Sequence, residues 1–150
     1  KVLPGMDSAN AISEWTVTGA GGVTRDTTDK QAGASSMGFK ANSAATTAAI
    51  IRSIEPGQHP AMSYYYRKQG STTGQALLQV RLDWLDSKGT TISTVVLEDL
   101  DGNVDWTLRR SSINARPPIG AASYQLRFIK SADTGGTGQV WIDEFVINNI

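Results

Sequence analysis

Residues 97–106, LEDLDGNVDW, set Asp99, Asp101, Asn103 and Asp105 at alternate positions around Gly102. Oxygen donors recurring along a short loop are what a hard cation such as calcium collects. An EF-hand loop, however, needs its glycine sixth and an acidic residue twelfth. Counted from Asp99, the glycine comes fourth and the twelfth residue is Arg110. Asp-Gly is also a strong hairpin signal, and strand-like stretches lie on both sides. The segment therefore reads as a turn, a hairpin or a loop, rather than as a metal loop.

Little else in the chain offers covalent or redox chemistry. There is one histidine, His59, read as an exposed loop residue, and no cysteine, so disulfides and cysteine-based zinc sites are excluded. No phosphate-binding glycine loop, serine elbow or histidine metal motif occurs, and no carboxylate pair is singled out as acid and base. The expectation is a protein that is not an enzyme. Fourteen basic residues balance fourteen acidic ones, which gives no reason to expect nucleic acid or an acidic membrane as partner. No apolar run approaches the roughly 20 residues of a membrane span. The opening KVLPGMDS lacks the regions of a signal peptide, and suggests a chain excised from something larger or already processed.

The elements that must position any site are strands. Ser, Thr and Gly are abundant and no helical stripe is sustained, an all-β composition. Period-two alternation puts Met62, Tyr64 and Tyr66 on one face of AMSYYYRK and Ser63, Tyr65 and Arg67 on the other. LLQVRLDWLD sends Leu78, Val80, Leu82 and Trp84 inward and Gln79, Arg81 and Asp83 outward. SYQLRFIK sends Tyr124, Leu126 and Phe128 inward, and Gln125 and Arg127 outward. VWIDEFVIN places Trp141, Asp143, Phe145 and Ile147 on one face. EWTVTG, SSMGFKAN, AAIIRSIEP, TISTVVLEDL and WTLRRSSI complete about nine strands, with turns roughly every ten residues. The expected fold is a single antiparallel β-sandwich of the jelly-roll kind, filling residues 1–150. Trp84 and Trp141 read as core and Trp15 as a cover at the sandwich end. Trp106 either packs under the acidic turn or presents a stacking surface at the rim.

Two groups of residues then become candidates. Tyr65, Arg67, Gln79, Arg81, Asp83, Gln125 and Arg127 all point outward; if their strands share a sheet, they form a face with one aromatic platform and several planar polar groups. That combination suits sugars, whose C–H faces stack on aromatic rings while hydroxyls hydrogen-bond to Arg, Asp and Gln. The plain alternative is a wet sheet face whose charges pair across strands. The second candidate is Asp143, placed inward by its strand parity, where a lone carboxylate is costly unless an ion or hydrogen bonds compensate.

The order of motifs resembles the jelly-roll carbohydrate-binding modules of families 4, 9 and 22, and related domains of secreted enzymes and phage tail proteins. It runs through LPGMDS, EWTVTG, QAGASSMGF, IEPGQHPAMSYYYRK, VRLDWLDSKGTTI, PPIGAASYQLRF and GQVWIDEFVIN, and so through nearly the whole chain. The resemblance implies a glycan groove on the concave sheet, with an aromatic near the position of Tyr65. It also implies a structural calcium at one end, on the carboxylates of Asp7 and Asp143 and the carbonyls of Gly5, Gln31 and Ala34. Gln31 stands where many relatives carry an acidic residue, although Asp29 is nearby. The function implied is non-catalytic binding of a poly- or oligosaccharide, outside the cell, in a parent protein with a catalytic or structural domain. The competing expectation is a structural or adhesion domain of a phage tail or surface fibre. A polysaccharide-lyase-like site on Tyr65, Arg67 and Arg81 is the third.

Overall fold

The computed structural model describes residues 14–19, 21–40, 44–70, 78–100, 102–112, 116–132 and 138–150. They form ten strands: β1 Thr16–Gly19, β2 Val23–Asp26, β3 Ser36–Phe39, β4 Thr46–Ser53, β5 Pro60–Gln69, β6 Leu78–Leu85, β7 Thr91–Leu100, β8 Val104–Ser112, β9 Ser123–Lys130 and β10 Gln139–Asn149. Nine coincide with the stretches that alternation picks out. The tenth, β2, spans only VTRD, too short to display a period. Two antiparallel five-stranded sheets result, ordered β1-β4-β9-β6-β7 and β2-β3-β10-β5-β8. This is the expected all-β jelly-roll sandwich.

The inner faces follow the alternation in β5, β6 and β9. Tyr64, Leu78, Val80, Leu82, Leu126 and Phe128 are each at most 0% exposed and share one core cluster. Phe128 sits at its centre, with Trp15, Tyr64 and Phe145 rings at 5.7, 5.1 and 5.9 Å. Trp15 thus seals the core as expected. Lys68 and Lys130 also face inward and are buried; Lys68 Nζ donates to the Leu100 carbonyl at 3.3 Å.

The turn around Gly102 is not a hairpin. β7 pairs with β6 and β8 pairs with β5, so the chain crosses here from one sheet to the other. Gly102 has φ +78°, a left-handed conformation that a side chain would strain. The true hairpin lies between β6 and β7. There Asp86 accepts from Lys88 N and Thr90 N at 2.8 and 2.9 Å, and Gly89 takes φ +83°. His59 is half-buried rather than exposed, because its backbone pairs with Ile150 through bonds of 2.8 and 2.9 Å.

Because Phe128 joins three aromatic rings at the centre, Phe128→Ala is expected to destabilise the fold by about 3–5 kcal/mol. Urea unfolding followed by tryptophan fluorescence would measure it, and a loss below about 1 kcal/mol would show that the cluster collapses around the gap.

Candidate functional site

The seven outward residues do not share a face. Tyr65 and Arg67 lie on β5, in the second sheet, whereas Gln79, Arg81, Asp83, Gln125 and Arg127 lie on β6 and β9, in the first. Alternation reports which side of its own sheet a residue takes, and is blind to which sheet that is. The outer faces of a sandwich point in opposite directions, so the single groove is corrected to two separate surfaces. Arg81 is likewise removed from Tyr65 and Arg67, and the lyase-like trio is not assembled.

Four of the five residues of the first sheet, all but Gln125, are occupied with one another or with β7. Asp83 is only 3% exposed although it faces outward. Arg127 Nη2 donates to its Oδ1 at 3.0 Å, and Nε stands 2.8 Å from Oδ2 as an ion pair outside hydrogen-bonding alignment. Thr94 Oγ1 donates to Oδ1 at 2.7 Å. Arg81 Nε donates to Gln79, whose amide donates to Asp99 at 2.7 Å. This network ties β9, β6 and β7 together. No aromatic residue stands on the outer positions of these strands, while Val96 of β7 and Ile51 of the neighbouring β4 are exposed on that face, at 48% and 54%.

The second sheet is different, and the difference begins at a bulge in β10. Asp143 pairs with Tyr65 but Val146 pairs with Ser63, so β10 carries one extra residue, and Glu144 adopts φ +50°. Val140 and Ile142 before the bulge, and Phe145 and Ile147 after it, all join the core. Trp141 and Asp143 consequently face outward, contrary to the uninterrupted parity read from the sequence. Both are nevertheless buried, at 3% and 0% exposure, beneath the segment joining β2 to β3.

That segment is fastened by carboxylates. Gln31 N and Ala32 N donate to Asp143 Oδ2 at 2.9 and 3.1 Å, and Glu144 N donates to Oδ1 at 2.8 Å. Asp26 accepts from Thr28 N at 2.8 Å, Asp29 N at 2.9 Å and the Trp141 indole Nε1 at 2.9 Å. Burial acts to raise the Asp26 pKa, but hydrogen bonds from Asp29, Trp141 and Thr28 and the charge of Lys30 outweigh it. The group lies below its ordinary value of 3.8. Arg67 lies 5.1 Å over the Trp141 ring, pairs with Asp29 of the segment, and reaches Asp105 at 3.5 Å.

Beyond the segment, the same face is open. Tyr65 pairs across strands with Leu108, and alternation along β8 puts Trp106 and Arg110 on that side too. A second irregularity, between Tyr66 and Lys68, sets both Asp105 and Trp106 opposite Arg67. The chain has eleven aromatic residues, four Trp, four Tyr and three Phe, and nine are buried. The two that are not are Tyr65 and Trp106. Of the two readings left open for Trp106, the rim surface is the one this geometry supports. Arg110 and Leu108 were absent from the sequence candidates, and the signal for them was the parity of WTLRRSSI once Tyr65 had fixed the face.

For calcium, the described surroundings of Asp143 are three N–H donors, which satisfy a carboxylate without a cation. Calcium needs six to eight oxygens, and no group of three or more His, Asp or Glu gathers among the described residues. Gln31 offers its amide here, and Gly5 and Asp7 lie outside the described residues. A separate cavity of 490 Å³, walled by Ile54, Pro56, Pro117 and Pro118, lies between the β4–β5 turn and the loop before β9, and holds none of the sequence candidates.

No protein-family model matches the chain, and no curated protein matches it significantly. Solved structures do. Tailspike protein 4 of bacteriophage CBA120, in its enzymatically active domain, matches with TM-score 0.69 and 18% identity over 93% of this chain, which spans 20% of that one. The CBM22-1 xylan-binding domain of Paenibacillus barcinonensis Xyn10C matches with TM-score 0.61 and 16% identity over 91% of this chain and 85% of that one. TmCBM61, solved with β-1,4-galactotriose, gives TM-score 0.52 and 14% identity over 93% and 90%. At these identities the likeness carries the fold. It is the jelly roll that carbohydrate-binding modules share with a phage tailspike, as the order of motifs implied.

Two outcomes follow from the carboxylates. EDTA is expected to leave the thermal midpoint unchanged, whereas Asp143→Ala lowers stability by about 1–3 kcal/mol through its orphaned amides. A fall of several degrees with EDTA, reversed by calcium, would instead place a cation between Asp143 and Asp7. Since the Asp26 pKa is lowered by folding, its contribution is present above about pH 4 and is lost as pH falls through the folded value. The Asp26→Asn variant is expected to lose less stability than the parent between pH 5 and pH 2, measured by urea titration at each pH. Equal acid slopes would remove Asp26 from that role.

Proposed function

We propose that this chain is a non-catalytic glycan-binding module, with its ligand lying over Tyr65 and Trp106 on the outer face of the second sheet. One observation carries the reading: the two incompletely buried aromatics of the chain stand on one face, beside Arg67, with Leu108 between the outward positions of β8. An apolar ring surface beside planar polar groups is the chemistry that pyranoses select. The segment fastened over Asp143 forms a wall at one side of this shelf. Asp105 and Arg110 supply an acceptor and a donor at its other margins. The fold shared with a xylan-binding domain and with a module solved on galactotriose supports the same class of ligand.

In this reading the network of Gln79, Arg81, Asp83 and Arg127 knits the first sheet, and its groups serve one another more than a ligand. The natural setting is a secreted or virion-borne protein in which the module is joined to a catalytic or structural domain. A tailspike, and a xylanase whose CBM22-1 and GH10 modules share one chain, are similar chains of that composite kind. A second reading, a structural domain of a tail or surface fibre, is favoured by one feature. Ile51 and Val96 stand exposed on the first sheet's outer face, where an apolar contact in an assembly would cover them.

Screening on a glycan array and on insoluble polysaccharides is expected to yield a ligand. Tyr65→Ala and Trp106→Ala should each weaken it about tenfold, the equivalent of about 1.4 kcal/mol, while Arg81→Ala leaves affinity within about twofold. Loss on Arg81→Ala with both aromatic variants intact would move the groove to the first sheet. Silence across the panel, with a trimer or larger species in light scattering, would establish the fibre reading.

A further inference from the structure

We infer that a second sugar subsite lies on the same outer face, in the cleft formed by Thr24, Asp26, Asp29, Lys40, Gln139 and Trp141. The inference rests on the glycan-binding reading and extends it across the sheet. The register aligns Thr24, Gly38, Trp141 and Arg67 in one row running from β2 through β3 and β10 to β5, and Trp106 lies opposite Arg67 on β8. With strands about 4.8 Å apart, Trp141 and Trp106 stand about 10 Å from one another across that row. The shelf and the cleft are therefore neighbouring stations on one line, with Arg67 between them.

The cleft has the size and chemistry of a single sugar ring. Its volume is 160 Å³. Trp141 lines its base, beside Gly38 on β3. A Cβ on Gly38 would come within 3.3 Å of the Trp141 ring and 3.4 Å of Asp26. A side chain there would require the indole to give by a few tenths of an ångström.

The polar groups around this floor have capacity left over. Asp29 gives one carboxylate oxygen to Arg67, and the other has no partner among the described residues. Asp26 accepts three hydrogen bonds of the four or so that a carboxylate takes. The Lys40 ammonium, the Gln139 amide and the Thr24 hydroxyl likewise have no described partner, although each lines the cleft. Donors and acceptors thus stand within one ring's width of each other. A cation would use only the acceptors and an anion only the donors. A polyol, each of whose hydroxyls both donates and accepts, uses both. The ligand class is a neutral pyranose unit, bound as one residue of the chain that crosses the shelf.

The four tryptophan indole N–H resonances of the ¹⁵N-labelled domain give separate reporters for the two stations, assigned with Trp→Phe variants. Titrants are methyl β-xyloside, methyl β-galactoside and methyl β-glucoside, followed by xylotriose and galactotriose. The Trp141 resonance is expected to move saturably with at least one monoside. A Lys40→Ala, Gln139→Ala double variant should weaken that binding about tenfold with its thermal midpoint unchanged. Both residues are at the margin of the sheet, so the fold tolerates the change. With the trisaccharide, the Trp106 resonance should move in parent and double variant alike. A Trp106 shift with no Trp141 shift would overturn the subsite and leave the shelf standing. If neither resonance moves with any titrant, the glycan-binding reading fails together with the subsite.

Discussion

The extra residue in β10 is the constraint from which the functional surface follows. Without it, strand parity would carry Trp141 and Asp143 into the same core that receives Phe145 and Ile147, and a carboxylate there would lack partners. The bulge reverses the strand's faces between Asp143 and Phe145. Trp141 and Asp143 are delivered to the outside, but neither tolerates open water well as placed. The indole needs cover, and the carboxylate gains most from donors held in position. The segment between β2 and β3 supplies both, through the amides of Gln31 and Ala32 and the Asx turn of Asp26. Its ion pair with Arg67 then fixes how far across the sheet it reaches. Where it stops, Tyr65 is left uncovered.

Placement of the aromatics follows the same economy. A sandwich of this size needs its large rings inside, and eight of eleven are in the core, with Trp141 buried outside it under the loop. The two sheets spend their outer faces differently. The first closes its face with charges paired across three strands, so that Asp83 is buried although it points away from the core. A carboxylate satisfied by a guanidinium and a hydroxyl has little left for a ligand, and removing either partner would leave it desolvated. The second sheet closes half its face with a loop and leaves the rest as ring surface. That asymmetry is what the proposed recognition face rests on.

Much of this was legible in the sequence, and the boundary of legibility is physical. Period-two patterns in YYYRK, VRLDW and YQLRF report which residues face the core, because burial of one face imposes the pattern directly. They cannot report which sheet a strand joins, since both sheets obey the same rule. The seven outward residues therefore looked like one surface and are two. The bulge was illegible for a related reason. Trp141, Asp143, Phe145 and Ile147 keep a flawless alternation in WIDEFVI, and only backbone geometry at Glu144 reveals the slip. The buried lysines 68 and 130 extend perfect inward alternation, yet their charge argues outward; the carbonyl of Leu100 resolves the conflict for Lys68. Asp99 to Asp105 reads as a turn, and the sheet crossover it makes depends on long-range pairing that no local signal contains.

The shallow geometry of the recognition face bears on how such a domain would be used. In the proposed reading, a shelf of two partly buried rings with a neighbouring cleft for one sugar unit would expose most of a bound chain to water. Interfaces that leave the ligand half solvated gain few desolvated contacts, and each flexible sugar linkage that is fixed opposes binding. Weak attachment per copy is the consequence, and it is useful only where copies are multiplied. Linked or oligomeric modules convert later binding steps into intramolecular ones and can raise avidity by about 10²–10⁴. Here the exposed Ile51 and Val96 acquire a meaning that does not compete with sugar binding. They lie on the face opposite the shelf, so contacts made through them would gather several copies with every shelf still open. The module and fibre readings would then concern two sides of one sandwich, one sheet proposed to hold the glycan and the other free to assemble.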